Sequence, residues 1–413
     1  MAYCKQPHRR LMGFSVFLLS AVLILAFLAA DLGARVPVQR HFLSWESLNR
    51  PEQYRRLLKK SPPARRFKVS SNKIAKLKKS SFLNKRPYQF STPLVEADKL
   101  YVGSDSGLFY AYNIPREKKI WKFKPDGPVH AKAAFADETV YFGDTKATIY
   151  ALDAATGAEK WRSRLDSEVL ATPLVIGNKL VVPDMSGRLY ALDRSTGVEV
   201  WHTDPSDRSI GFSVRRAASP VEVNGLILLG SASGGLIAYH SADGSIAWVR
   251  QLGDKQSQVY DVDSTPLLAG GKIYVSSADG HLFCVEPSAG AVIWSAEAGG
   301  VDDLALHNGK IYASGEGVLS ALEPESGNIL WQQDLETPEI SSPVADGNYV
   351  AVATTVDKLY LIDSENGDIV YERFLNNGSF SDPVISSGRL YLLTNTGRLY
   401  SYNIRELPPR KRR

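Results

Sequence analysis

Between about residues 80 and 406 short apolar runs alternate with breaks rich in Gly, Asn and Asp, and no stretch keeps the 3.6-residue period of a useful amphipathic helix. One cycle shows the pattern. Thr172-Pro173-Leu-Val leads to a break at Gly177-Asn178, then Leu180-Val-Val, a second break at Ser186-Gly187, and the alternating run Leu189-Tyr-Ala-Leu. A Thr196-Gly197 turn follows, and a last run carries Trp201. Four short runs rich in Val, Ile, Tyr and Leu, separated by tight turns, predict four antiparallel strands per cycle.

The cycle recurs. Ala151-Leu-Asp153-Ala-Ala-Thr156-Gly157-Ala-Glu-Lys-Trp161 returns as Ala191-Leu-Asp193-Arg-Ser-Thr196-Gly197-Val-Glu-Val-Trp201. Looser copies end at Trp121, Trp248, Trp294, Trp331 and Tyr371, and a truncated one closes at Ser401-Tyr-Asn403. From Trp121 onward the aromatic anchors are 40, 40, 47, 46, 37 and 40 residues apart, which is the period of a propeller or repeat array. Each motif residue has a local job. Asp153 and Asp193 can accept hydrogen bonds from their own turns, and Thr156 and Thr196 can do so more weakly. Gly157 and Gly197 supply a positive φ. The tryptophans offer a broad apolar face to a neighbouring sheet and an N–H that needs an acceptor. Packing of blade on blade accounts for all of these residues.

Third strands begin at Leu108, Ile149, Leu189, Leu236, Leu282, Val318, Leu359 and Leu399, which predicts eight blades. The eighth unit, Asp382 to Glu406, stops before its fourth strand. In complete units the Trp lies 11 positions ahead of the next entry, as from Trp161 to Thr172; the same count back from Thr92 reaches Ser81. The segment near 80–90 is therefore expected to supply the missing outer strand and close the ring, leaving only short, protected edges. The expected fold is all-β: an eight-bladed propeller of four-stranded antiparallel blades over 81–406, closed by an N-terminal strand and preceded by a transmembrane helix.

That helix is expected at Leu11 to Ala30, a 20-residue uncharged run with twelve Leu, Ile, Val or Phe, long enough to cross a bilayer. Those twelve contribute on the order of −4 to −7 kcal/mol to insertion. The run also fits a cleaved signal peptide; its length and the lack of an Ala-x-Ala site after Ala30 favour an uncleaved anchor. Cys4 precedes the run and no cysteine stands at its end, which excludes lipidation there. Lys5, Arg9 and Arg10 place residues 1–10 in the cytoplasm, although Arg35, Arg40 and Arg50 weaken the asymmetry.

Residues 31–80 read as a basic linker, with Arg55-Arg56, Lys59-Lys60, Arg65-Arg66 and the lysines of 76–79 around Pro62-Pro63. It is expected to be a tether lying on anionic lipid or simply a solvated spacer. The tail 407–413 is basic as well. These two segments carry much of the net charge of +5, so the propeller itself is not basic and nucleic-acid binding is disfavoured. Cys4 and Cys284 lie on opposite sides of the anchor and cannot pair within the chain. At 44% hydrophobic and 23% charged, the 413 residues have ample apolar content for one large β ring.

Catalytic patterns are absent. Seven histidines show no metal-ligand spacing, and no P-loop, Gly-x-Ser-x-Gly, His-Glu-x-x-His or Gly-x-Gly-x-x-Gly occurs. His202, beside Trp201, reads as a rim residue, and Asn377-Gly-Ser379 is a weak match to a glycosylation acceptor.

The Ala-x-Asp-x-x-Thr-Gly-x-x-x-Trp repeat resembles the tryptophan-docking motif of the pyrroloquinoline-quinone (PQQ) propeller superfamily, which contains quinoprotein dehydrogenases and cofactor-free binding propellers. Compact blades, no adjacent cysteines and no spare length for a cofactor lid point away from the dehydrogenases, so the resemblance implies a non-enzyme with no cofactor. Two connections are longer than the rest: Thr203 to Ala218, with Ser209-Ile-Gly-Phe212-Ser-Val214-Arg215-Arg216, and Arg250 to Ser264, with Tyr260-Asp261-Val-Asp263. Both are similar to loops of the BamB family of outer-membrane protein assembly factors, as is Gly300-Val-Asp302-Asp303-Leu in the following blade. In that family these loops lie on the surface that grips the barrel protein BamA. The resemblance therefore implies a BamA-type partner in the bacterial envelope, contacted by Phe212, Val214, Arg215, Asp261 and Asp263. An exposed Arg flanked by apolar groups has the composition of a binding hot spot, and either Asp could hold Arg215 by a charge-assisted bond. The same residues would also suffice to brace two long loops. Where BamB carries a lipid, this chain has a non-lipidated anchor, which implies an inner-membrane tether with the propeller in the periplasm. Two other functions remain open: a PQQ-dependent oxidoreductase, and an inner-membrane sensor or surface-binding propeller.

Overall fold

The computed structural model describes residues 65–77, 88–204, 218–254, 257, 261–298 and 303–408. All of them lie in the unit Leu57–Arg413. The expected membrane helix, Leu11 to Ala30, falls outside the described residues, among which no helix is long and apolar enough to cross a membrane.

Thirty-two strands form eight four-stranded antiparallel sheets, and within seven of them the strands neighbour one another in chain order. The first blade is Leu94–Glu96, Lys99–Ser104, Leu108–Asn113 and Lys118–Phe123. Inner strands of neighbouring blades meet, as Ala134–Ala136 meets Leu174–Ile176, and that of the last blade, Val384–Ser386, meets that of the first, Leu94–Glu96. The ring is closed. Middle strands are almost wholly buried, as in Thr139–Gly143 and Thr148–Asp153, whereas outer strands such as Glu159–Arg164 expose most of their residues.

The closing strand is Arg66–Lys76, which pairs antiparallel with Arg398–Leu407 in register Arg66↔Leu407. It lies upstream of the 80–90 segment expected to close the ring, in the stretch read as linker. The spacing count failed because this outer strand has no tryptophan. Asn72 stands opposite Ser401, the site that Trp161 occupies opposite Ala151. It precedes Thr92 by 20 residues rather than 11. Phe67 and Val69 alternate with exposed Lys68 and Ser70, so basic residues on the solvent face masked an outer-strand pattern.

The core lies mainly between blades. Phe109 of the first blade stacks on Phe142 of the second with ring centres 3.9 Å apart, and Tyr101, Trp121 and Tyr150 belong to the same cluster. Ile74 and Leu77 close an equivalent cluster with Leu100, Val102 and Leu399 at the junction of the last and first blades.

Each docking tryptophan acts on the next blade. Trp121 Nε1 donates to the Ala154 carbonyl (3.2 Å), Trp161 to Arg194 (3.0 Å), Trp248 to Pro287 (3.0 Å), Trp294 to Pro324 (3.0 Å) and Trp331 to Ser364 (3.4 Å). At three of these seams a tyrosine hydroxyl donates to the same carbonyl: Tyr101 to Ala154, Tyr274 to Pro324 and Tyr312 to Ser364. Behind Trp201 the arrangement differs, because Lys179 Nζ takes the Ser241 and Ala242 carbonyls at 2.7 and 2.8 Å. In each of the seven outer strands that follow their own third strand, pairing slips by one residue just before the aromatic anchor, as between Ala151 and Leu152 opposite Trp161 and Glu159. Such a bulge twists an exposed edge and hinders pairing with another sheet.

Candidate functional site

Connections from each outer strand to the next inner strand reach one face of the ring. They span 165–173, 335–343 and 375–383 at ordinary seams but 203–220 and 252–266 at the two longer ones. Phe212, Val214 and Arg215 lie in 205–217, outside the described residues. Asp261 and Asp263 are described, and they differ. Asp261 is half-buried, and its carbonyl accepts the Ala278 N–H at 2.8 Å. Asp263 is buried, on a segment fastened on both sides. Val262 N–H donates to the Ser231 carbonyl at 3.0 Å, and the Ser264 hydroxyl accepts from Ser276 N–H at 3.0 Å. A Cβ at Gly230 would come within 2.2 Å of the Val262 carbonyl oxygen, so only glycine admits this connection so close to the preceding blade.

The motif aspartates are turn organisers. Asp193 Oδ1 accepts from the Ser195 and Thr196 hydroxyls (2.6 and 3.0 Å) and from their backbone N–H groups (3.0 and 2.9 Å). Those hydroxyls, first Ser195 and then Thr196, hold its carboxyl down to about 2. Asp153 makes the same turn with Thr156, which likewise keeps its carboxyl below the ordinary range.

A second constellation, unexpected from the sequence, encircles the axis where the inner strands begin. Every blade contributes one residue: Thr92, Lys132, Thr172, Ser219, Thr265, Asp303, Ser342 and Asp382. Thr172 N–H donates to Ser219 Oγ (3.1 Å), Ser219 N–H to Thr265 Oγ1 (3.3 Å), and Thr265 N–H to Asp303 Oδ1 (3.3 Å). The Ser342 hydroxyl donates to Asp303 Oδ2 (2.7 Å) and its N–H to Asp382 Oδ1 (2.9 Å). Asp382 N–H then donates to Thr92 Oγ1 (3.2 Å), and the Thr92 hydroxyl donates to Asp382 Oδ2 (3.1 Å). The girdle is hydrogen-bonded across six successive seams and broken at the two that flank Lys132.

Burial pushes the Lys132 ammonium below its ordinary value, and the Asp382 carboxylate acts in the opposite sense. Lys132 and Asp382 stand on the two blades either side of the one that Thr92 opens. Two residues ahead of the girdle, Phe90 packs between Phe380 and His130, at ring separations of 5.4 and 4.9 Å, and Tyr88 meets Phe380 edge-on at 5.2 Å. His130 Nε2 lies 3.5 Å from the Asp105 carboxylate. A signal for the girdle was present in the recurrent Thr/Ser/Asp-Pro entries, which Lys132-Ala133 and Asp303-Leu304 interrupt. Among the described residues no three His, Cys, Asp or Glu side chains are grouped to hold a metal ion.

A family profile described as outer membrane protein assembly factor BamB matches residues 105–316 and 315–407. The chain belongs to that family. Among solved structures, BamB from Moraxella catarrhalis is 24% identical, with a TM-score of 0.69 over 81% of this chain and 98% of that one. The computationally designed Ika8 protein is 13% identical, with a TM-score of 0.65 over 77% of this chain and 98% of its own. Quinohemoprotein alcohol dehydrogenase from Comamonas testosteroni is 15% identical, with a TM-score of 0.65 over 81% and 76%. At these identities the three likenesses show the fold, which a BamB, an artificial protein and an alcohol dehydrogenase share. No curated protein matches the chain. Membership of the BamB family thus rests on the profile, over the seven blades that follow its start.

Proposed function

We propose that this BamB-family propeller is a non-catalytic scaffold of the bacterial envelope that assists insertion of β-barrel proteins into the outer membrane. It binds the periplasmic domain of a BamA-type partner with the face that carries the connections 203–220 and 252–266. The observation that carries this reading is the family match, joined to the extra length of those two adjacent connections in a ring of otherwise compact seams. Arg215, with Phe212 and Val214 beside it, supplies the anchor. Half-buried Asp261 supplies a charge at the neighbouring connection, and buried Asp263 holds that connection's shape. The propeller sits in the periplasm, tethered to the inner membrane through Leu11 to Ala30.

Co-purification of the full chain with a BamA-type protein from solubilised envelope tests this reading. Arg215→Ala and Asp261→Ala are each expected to abolish recovery of the partner while leaving the melting temperature unchanged; undiminished recovery with both variants overturns it. Catalysis by a quinone cofactor is checked by titrating purified protein with PQQ and calcium. No spectral shift and no dye-linked alcohol oxidation are expected.

A further inference from the structure

Each outer strand opens with two residues ahead of its aromatic anchor, at the end away from the connections to the next blade. In the second blade these two are Glu159 and Lys160, both exposed, so the fold sets no requirement for apolar side chains there. From the fourth blade to the seventh the same positions are apolar nonetheless. Ile246, Val292, Ile293, Ile329, Leu330 and Ile369 are all between 37% and 49% exposed. The docking tryptophans join them into one band, since Trp248, Trp294 and Trp331 lie against Gly290, Gly327 and Gly367 at the head of the next outer strand. Trp248 and Trp294 are themselves partly exposed, whereas Trp121 and Trp161 are buried. A continuous exposed apolar band of this kind marks an interaction surface.

The charge of the same four blades narrows the partner. Val221–Phe374 carries 22 Asp and Glu against six Lys and Arg, whereas Leu94–His202 carries 15 against 14. Three of those six cations are already paired, Lys272 with Glu325, Lys310 with Glu365 and Lys358 with Glu372. So acidic a wall repels anionic lipid and a second copy of itself, and attracts a cationic partner. Strand addition is hindered as well. Ile293 and Leu330 are the extra residues of their bulges, so the edge offers no regular ladder where the band runs. We infer that the outer wall of the fourth to seventh blades docks a basic amphipathic helix of another protein, whose apolar face lies on the band and whose Lys and Arg meet the acidic surround. Both longer connections are left free, so this surface stands or falls separately from partner capture by them.

Fluorescence anisotropy of the full chain in detergent tests it, with a labelled helical peptide of leucine and lysine, its leucine–glutamate counterpart, and a leucine–lysine peptide of scrambled order as probes. The leucine–lysine helix is expected to bind, less tightly as salt rises, and the other two at least about tenfold more weakly. Ile293→Ser combined with Leu330→Ser should weaken it about tenfold or more, and measuring this variant in the same micelles corrects for peptide held by detergent. Ile120→Ser, at the equivalent exposed position of the first blade, should leave binding unchanged. Melting temperatures confirm that the variants fold. Equal binding of the glutamate or scrambled peptide, unaltered binding by the double variant, or an equal loss with Ile120→Ser overturns the inference. Two further arms identify other occupants. If sedimentation shows a dimer that the double variant abolishes, the wall joins two copies of this chain. If hydrogen exchange in Val292–Glu297 and Ile329–Asp334 slows in phosphatidylglycerol nanodiscs without peptide, the wall rests on lipid. Either result overturns the inference too.

Discussion

The indole of Trp161 lies flat against the backbone of Gly197 in the next blade, so close that a Cβ on that glycine would come within 2.5 Å of the ring. The same glycine has φ +74°, and Trp161 Nε1 donates to the Arg194 carbonyl of the same turn. One glycine thus meets two demands, a left-handed turn and room for the neighbour's ring. Gly197→Ala should cost about 1–2 kcal/mol for the backbone and about 1–3 kcal/mol more for overpacking. Gly177 separates the two effects, since its φ is +54° but nothing lies within 4 Å of an added Cβ. In urea unfolding, Gly177→Ala is expected to show only the smaller, backbone loss. Equal losses at the two sites would mean that the indole contact contributes nothing.

Where the ring closes, that pairing is replaced. Asn72 occupies the tryptophan site, and its amide donates to Glu117 Oε1 at 3.0 Å. Glu117, at φ +50°, stands where Gly157 stands one blade later. Without an indole above it the turn tolerates a side chain. Deleting residues 66–76 removes Phe67, Val69 and Ile74 and uncovers the strand Arg398–Leu407. Three apolar side chains at about 1.5–3 kcal/mol each predict a loss of about 5 kcal/mol or more. Calorimetry should show a melting temperature lower by roughly 10 °C or more, and size-exclusion chromatography should show self-association through the opened edge.

Most of the ring was legible because each blade repeats the same solution: alternation sets the strands, Gly157 and Gly197 set the turns, and the tryptophans set the period. Contacts between blades were not, because a one-dimensional period does not say whether Trp161 packs within its own sheet or on the next. The closing strand was missed since Asn72 lacks the anchor residue and Lys68, Lys73 and Lys76 resemble a charged linker. One clue was available: Glu117 breaks the glycine rule only at the turn that meets Asn72. For the site, unusual connection lengths pointed to one face, yet they could not reveal that Asp263 is buried while Asp261 is half-exposed. Lys132 carried no motif at all; its significance comes from the seven girdle residues that seven other blades bring to its level.

Acid should loosen the turns that carry the motif aspartates. The Asp193 carboxyl is held down to about 2 by the Ser195 and Thr196 hydroxyls, below its ordinary 3.8 in an unfolded chain. A group depressed on folding contributes stability above its unfolded value and loses it as pH falls through the folded one. The contribution of Asp193 is therefore expected to be full above about pH 4, to decline below it, and to be gone near pH 2. Denaturant midpoints measured from pH 6 to pH 2 should fall less steeply for Asp193→Ala than for the wild type. Parallel curves would show that this turn is not acid-labile.

Inside the second blade the buried Asp144 depends on Tyr150. Asp144 is fully buried and accepts from Gly127 N–H (2.8 Å), Lys146 N–H (2.9 Å), Thr148 N–H (3.0 Å) and the Tyr150 hydroxyl (3.0 Å). The Tyr150 oxygen in turn accepts Asp126 N–H at 2.9 Å, linking the connection after the first blade to the middle of the second. Burial first, with Asp144 beside it, pushes the Tyr150 phenol well above its ordinary value. Tyr150→Phe keeps the ring that stacks on Phe142 at 5.2 Å but leaves the Asp126 N–H and one carboxylate oxygen short of a partner. The expected loss is about 1–3 kcal/mol. The phenol's raised value gives a second readout: ultraviolet titration between pH 9 and 11 should show no phenolate signal lost in Tyr150→Phe relative to the wild type, since Tyr150 stays protonated there. A smaller phenolate step in the variant would mean that Tyr150 titrates like an exposed tyrosine and that its bond to Asp144 is not maintained.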